Sequence, residues 1–173
     1  MDRFIEWTSE FSASRDFDVR ALLAGPPSEE LDRYLGQRKL NGFRDEGLNL
    51  KGPYYGPDKY DFLRSLDVLV IPSRSEGVPA VFFEALSCVP LIIISSDISD
   101  NLSEFSFDDG FVSFVNGYDD FEARLDSFFV PYKLQSQDLR ALLDRRRKHL
   151  QRFDWTSIGV RYREMAEHGT PSL

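Results

Sequence analysis

The sequence predicts an α/β fold, a Rossmann-like parallel sheet with helices on both faces, and two observations carry the prediction. Short apolar runs rich in β-branched residues, such as Val68-Leu69-Val70-Ile71 and Leu91-Ile92-Ile93-Ile94, alternate with segments of helical period. The runs are apolar throughout rather than at every second residue, as expected of strands covered on both faces by the helices that connect them.

Phe4, Ile5, Trp7 and Phe11 line one face of an opening helix, and Val19 to Ala24 reads as a buried strand ending at Gly25-Pro26-Pro27. Ser28 is placed to N-cap the next helix, which turns Leu31, Leu35 and Leu40 inward. Leu48 to Gly52 forms a brief strand before the turn-rich Pro53-Tyr54-Tyr55-Gly56-Pro57. A short helix over Tyr60 to Leu66 leads to the clearest strand, Asp67 to Pro72, followed by a loop from Ser73 to Val78 and a helix from Pro79 to Cys88. Leu91 to Ser95 and Phe111 to Val115 read as strands, Tyr118 to Phe129 and Gln137 to Phe153 as helices. A final helix follows Asp154-Trp155-Thr156. The chain thus opens on a helix, whereas a doubly wound sheet opens on a central strand. That first strand is expected to lie outside these residues or to be supplied by another chain.

With 173 residues, 42% of them hydrophobic, and no Pro/Gly/Ser-rich divider, the chain reads as a single domain over 1–173. A net charge of −8 argues against an electrostatic hold on nucleic acid, which needs a concentrated basic surface. The single cysteine, Cys88, rules out an intrachain disulfide, and no run of eighteen apolar residues occurs, so a soluble, cytoplasmic chain is expected. With only His149 and His168 beside Cys88, no metal site is expected.

The candidate chemistry lies in Glu76-Gly77-Val78-Pro79-Ala80-Val81-Phe82-Phe83-Glu84, at the carboxyl end of a parallel strand, where open α/β sheets hold ligands. Pro79 suits a first helical turn and holds Val78 extended, which leaves N–H groups near Gly77, Val78 and Ala80 open to a phosphate. Glu84 follows roughly 7–8 Å along the helix axis at about 1.5 Å per residue, a distance suited to a group that flanks a diphosphate. Its neighbours are apolar on nearly every side, so its carboxylate needs a donor. A sugar diol would serve; so would a Lys or Arg not identifiable from spacing, or water, and the two readings stand about even.

These residues resemble the C-terminal, donor-binding half of the group 1, or family four, retaining glycosyltransferases of the GT-B fold. The resemblance covers most of the chain: Ala24-Gly25-Pro26, Lys51-Gly52-Pro53-Tyr54, the signature Asp67 to Gly77, Glu84-Ala85-Leu86, Pro90-Leu91-Ile92, Asn101, Glu104, Gly110 and Phe153-Asp154-Trp155. It implies a nucleoside diphosphate sugar as donor substrate and no other cofactor. Glu76 would touch hydroxyls of the transferred sugar as the catalytic residue, orienting it rather than acting as a base, and Glu84 the ribose. Gly77, Val78 and Pro79 would lie against the diphosphate with Ser73 and Arg74 nearby, and Pro53-Tyr54 beside the base.

The sequence also departs from the family pattern. The basic pair that usually neutralises the diphosphate is carried by the absent first strand, and no Arg or Lys here can be assigned that role. The turn between Cys88 and Pro90 is shortened, and Ser99-Asp100 stand where glycines are usual. Weakened or altered donor binding is expected, as is dependence on an acceptor domain or partner chain. An alternative is a catalytically inactive binding or regulatory subunit of the same fold; a response-regulator-like domain is a poorer match, because no acidic phosphoacceptor pocket is visible. Arg145-Arg146-Arg147-Lys148 could contact anionic lipid at a membrane surface, though a solvated helix face is the preferred reading. Asp108-Asp109 and Asp119-Asp120 read as caps and turns.

Overall fold

A computed structural model describes residues 2–15, 19–25, 29–37, 47–105, 111–129 and 136–151. The predicted alternation is present, as α1 (Asp2–Ala13), β1 (Ala21–Ala24), α2 (Glu29–Gln37), β2 (Leu48–Lys51), α3 (Gly56–Arg64), β3 (Val68–Ile71), α4 (Ala80–Leu86), β4 (Leu91–Ser95), β5 (Val112–Val115), α5 (Tyr118–Phe129) and α6 (Ser136–Leu150). Short 3-10 segments, Ser96–Ile98 and Asp100–Phe105, follow β4.

Among the described residues every strand pairing is parallel, and the strands divide into two sheets, β1-β2 and β3-β4-β5. Ala21 faces Leu48 in the first; Val68 faces Leu91 and Ile92 faces Val112 in the second. This is the expected parallel, helix-covered arrangement, and among the described residues no strand joins β1 to β3.

β4 explains the two helical layers. All five of its residues are buried, and alternate side chains point to opposite faces. Ile92 and Ile94 pack with Leu63 of α3, Phe82 and Leu86 of α4, and Leu150 of α6. Leu91 and Ile93 pack with Trp7 and Phe11 of α1 and with Phe121, Leu125 and Phe128 of α5. Ile5 of α1 instead joins Ala21, Leu31 and Leu48, so α1 reaches across both sheets.

Element bounds differ from the sequence reading mainly at α3, which begins at Gly56 instead of Tyr60. Tyr55 is extended at the N-cap and Pro57 occupies the opening turn, where a missing N–H costs nothing. The Gly56-Pro57 pair therefore starts a helix rather than a separate turn. Leu31 is buried as expected. The side chains of Leu35 and Glu104, and residues Pro26, Pro27, Ser28, Leu40, Asp108, Asp109, Gly110, Phe153, Asp154, Trp155 and His168, lie outside what is described. No described helix is long and apolar enough to cross a membrane.

Candidate functional site

The Ser73 to Pro79 loop leaves the carboxyl end of β3, and its conformation follows from local bonds. Ser73 Oγ donates to Glu76 Oε2 at 2.6 Å, and Asn101 Nδ2 donates to the Glu76 carbonyl at 2.7 Å. Glu76 is exposed, so one carboxylate oxygen is anchored while the group faces outward. Asn101 comes from the 3-10 segment after β4, which makes this segment a second support for the loop.

Gly77 and Val78 are exposed and Pro79 is buried. A Cβ built on Gly77 would meet nothing within 4 Å, and Gly77 is not among the residues with positive φ. Neither backbone strain nor internal packing therefore demands glycine in this loop. Pro79 is the extended N-cap of α4, with no side-chain cap bond, and its carbonyl accepts from Phe82 N at 3.0 Å. α4 spans only seven residues, shorter than the Pro79 to Cys88 prediction, and so carries a short dipole.

Arg74 reaches Asp2 of α1, its Nη2 lying 2.6 Å from Oδ2. The pair is largely solvated, and such pairs contribute little to stability. It does, however, occupy the one cation the sequence places beside the signature. Arg3 lies next to it, donating to Ser95 Oγ at 2.9 Å and pairing with Asp97 at 2.5 Å.

Glu84 has the most informative surroundings. Its side chain is 21% exposed, Oε1 lies 2.6 Å from Lys59 Nζ, and Oε2 is buried with no hydrogen-bond partner. Of the two open readings, pairing with a cation is the one present, and the cation is Lys59 on α3. The hydrogen bond to Glu84 holds the Lys59 ammonium above its ordinary value, against partial desolvation. The sequence offered one signal for this residue: Pro57 could open a helix as readily as close a turn, and the earlier start brings Lys59 onto α3.

Tyr54 stacks on Phe62 of α3, ring centroids 4.5 Å apart and planes 14° apart, while Pro53 is exposed. One face of the Tyr54 ring is thus committed to packing. Pro53, Tyr54, Lys59 and Pro72 lie at one end of a cavity of about 1560 Å³ that runs between the two sheets, and Glu76, Gly77 and Glu84 are not among its lining residues. The structure therefore gathers Ser73, Glu76 and Asn101 into one cluster and Lys59 and Glu84 into another.

The basic run on α6 is corrected. Arg146 is 1% exposed and donates to the Val89 carbonyl at 2.8 Å, while Arg147 donates to the Ser87 carbonyl at 3.1 Å. The shortened turn after α4 leaves carbonyls turned toward α6, and guanidinium groups satisfy them, as cations do at helix C-termini. Arg145 and Lys148 remain exposed. Cys88, in the same turn, is buried, and burial raises its thiol pKa. Of the paired aspartates, Asp120 accepts from Asn116 N at 3.0 Å and Nδ2 at 3.1 Å at the start of α5, as read.

A search among curated proteins returned no match. A family model described as glycosyl transferases group 1 matches residues 1–126, from α1 into α5, and includes both clusters. The chain belongs to the group 1 glycosyl transferases.

Proposed function

We propose that this chain is the donor-binding part of its transferase, holding a nucleoside diphosphate sugar whose glycosyl group passes, with retention, to an acceptor bound elsewhere. The unpartnered buried oxygen of Glu84 carries this reading. A buried carboxylate oxygen without a donor is costly, and a ribose hydroxyl would supply the missing bond. In this reading Glu76, held by Ser73, meets the transferred sugar, and Gly77, Val78 and Pro79 line the diphosphate. Pro53 and the free face of Tyr54 sit beside the base, and no metal is required. Electrostatic stabilisation of the departing diphosphate does most of the catalytic work. Calorimetric titration with a panel of nucleoside diphosphate sugars tests it: saturable binding is expected, and no heat at millimolar ligand would sink the proposal.

A second reading, a binding or regulatory subunit without turnover, draws on a specific observation: Arg74 and Lys59 are both engaged by carboxylates. Donor binding that is never followed by release of the nucleoside diphosphate, even with an acceptor domain added, distinguishes it from the first.

A further inference from the structure

The loop that carries Glu76 owes little to packing. Residues 74–78 are exposed throughout, and only Pro79 after them is buried. Gly77 adds no side chain, and glycine tolerates more backbone conformations than any other residue. A run of this kind keeps one shape through bonds that reach it from other elements. Arg74 meets Asp2 of α1, but that pair is largely solvated and contributes little. Asn101 Nδ2, from 25 positions further along the chain, donates to the Glu76 carbonyl at 2.7 Å.

Asn101 is a stiff support, although its own side chain is exposed. It stands in the 3-10 segment Asp100–Phe105, between Ile98 and Leu102, each of which is 1% exposed. Both of these belong to the cluster that holds Phe82 and Leu86 of α4 and Ile92 and Ile94 of β4. Leu102 N donates to Ser99 O at 3.0 Å and Ser99 Oγ to Ser96 O at 2.9 Å, so the turns beneath Asn101 are closed by their own bonds. Arg3 donates to Ser95 Oγ at 2.9 Å and pairs with Asp97, which fastens the start of the same stretch to α1. The core has already fixed the backbone at Asn101, and the bond to Glu76 has only a short side chain to order.

That bond sets more than one atom. The peptide joining Glu76 to Gly77 is planar, so holding its carbonyl also fixes the direction of Gly77 N–H on the opposite side of the plane. Ser73 Oγ meanwhile holds Glu76 Oε2 at 2.6 Å. The main chain and one carboxylate oxygen of Glu76 are thus set from two separate segments, one after β3 and one after β4. We propose, within the donor-binding reading on which this rests, that Asn101 is a positioning residue: through the Glu76 carbonyl it holds the Glu76 carboxylate where the transferred sugar is met.

Asn101→Ala removes the donor and, at an exposed position, should shift the melting temperature by no more than about 2 °C. In the ligand-free chain the amide order parameter of Gly77 should fall by about 0.2 or more, on a scale where rigid backbone reads about 0.85 and flexible backbone below about 0.6. That of Ile93 in β4 should not change. Calorimetry with UDP-glucose, GDP-mannose and ADP-glucose, and with UDP, GDP and ADP, reads the ligand side. For whichever sugar nucleotide the parent binds, Asn101→Ala should lower affinity about 3- to 10-fold, the range for one hydrogen bond, and leave the matching nucleoside diphosphate within about 2-fold. In a Glu76→Ala background Asn101→Ala should cost nothing further, because residues that act as one unit are not additive. An unchanged Gly77 order parameter, an equal loss for the nucleoside diphosphate, or additive losses with Glu76→Ala overturns the assignment of Asn101. A melting temperature lowered by more than about 5 °C makes Asn101 a structural residue and overturns it as well. If the parent binds a sugar nucleotide and Asn101→Ala binds it equally, the role of Asn101 falls and the donor reading stands; if the parent binds none at millimolar concentration, both fall.

Discussion

Lys59 Nζ lies 2.6 Å from Oε1 of Glu84, while the other oxygen of the same carboxylate is buried with no donor. The side chain is half satisfied by the protein, and the remaining half is what the donor reading uses. Glu84→Gln is expected to weaken nucleotide-sugar binding about 10- to 100-fold, the range for losing hydrogen bonds to a charged acceptor. Lys59→Met should lower the melting temperature, because it leaves a largely buried carboxylate with neither oxygen met by a donor. Calorimetric affinities and thermal melts of both variants check the two statements, and unchanged affinity in Glu84→Gln removes Glu84 from the site.

Glycine 77 separates ligand fit from protein fit. Its Cβ position is open and its φ is unremarkable, so Gly77→Ala should change stability by no more than about 0.5 kcal/mol. If a diphosphate lies against it, donor affinity falls all the same. Gly56 is the contrast: at φ +53° it opens α3 in the left-handed region, and Gly56→Ala should cost about 1–2 kcal/mol. Urea unfolding paired with titration reads both.

Adjacent arginines on α6 should behave differently. Arg146 is buried on the Val89 carbonyl, and Arg146→Met is expected to destabilise by about 2–3 kcal/mol, leaving a buried acceptor unmet. Arg145 is exposed, and Arg145→Ala should stay within about 0.5 kcal/mol. Equal effects in denaturant titration would contradict the burial.

The Arg3 guanidinium beside Asp97, with Ser95 Oγ adding a bond, holds the Asp97 carboxyl below its ordinary value of 3.8. A carboxyl lowered on folding contributes stability that is present above its unfolded value and is lost as pH falls through the folded one. Asp97→Asn should therefore lower the urea midpoint at pH 6, and the difference from the parent should shrink by pH 3. A gap that stays constant between the two pH values would show that the pair does not titrate with folding.

Strands were easiest to read where they are buried on both faces. Leu91 to Ser95 was located to the residue, because five consecutive apolar or small residues leave little choice of period, and Tyr118 to Phe129 was equally plain from its helical spacing. Sequence and structure part where a residue type serves two purposes. Gly56-Pro57 can close a turn or open a helix, and only the helix brings Lys59 onto α3. An arginine in a basic run is ordinarily solvated, and nothing local in Arg145-Arg146-Arg147 marks the one that meets a carbonyl 57 positions away. The loop at Ser73 to Pro79 was legible because its surroundings are sequential. The partners of Glu76 and Glu84 were less so, since Asn101 and Lys59 reach them only through the packing of other elements.

The bond from Arg146 to Val89 also bears on biosynthesis. At translation rates of about 5–20 residues per second, the 57 residues separating these partners take roughly 3–11 s to emerge. For that interval the end of α4, which carries Glu84, is on the nascent chain without the guanidinium that closes its turn. The carbonyl at the end of this turn therefore has no guanidinium to meet it until most of α6 has been synthesised.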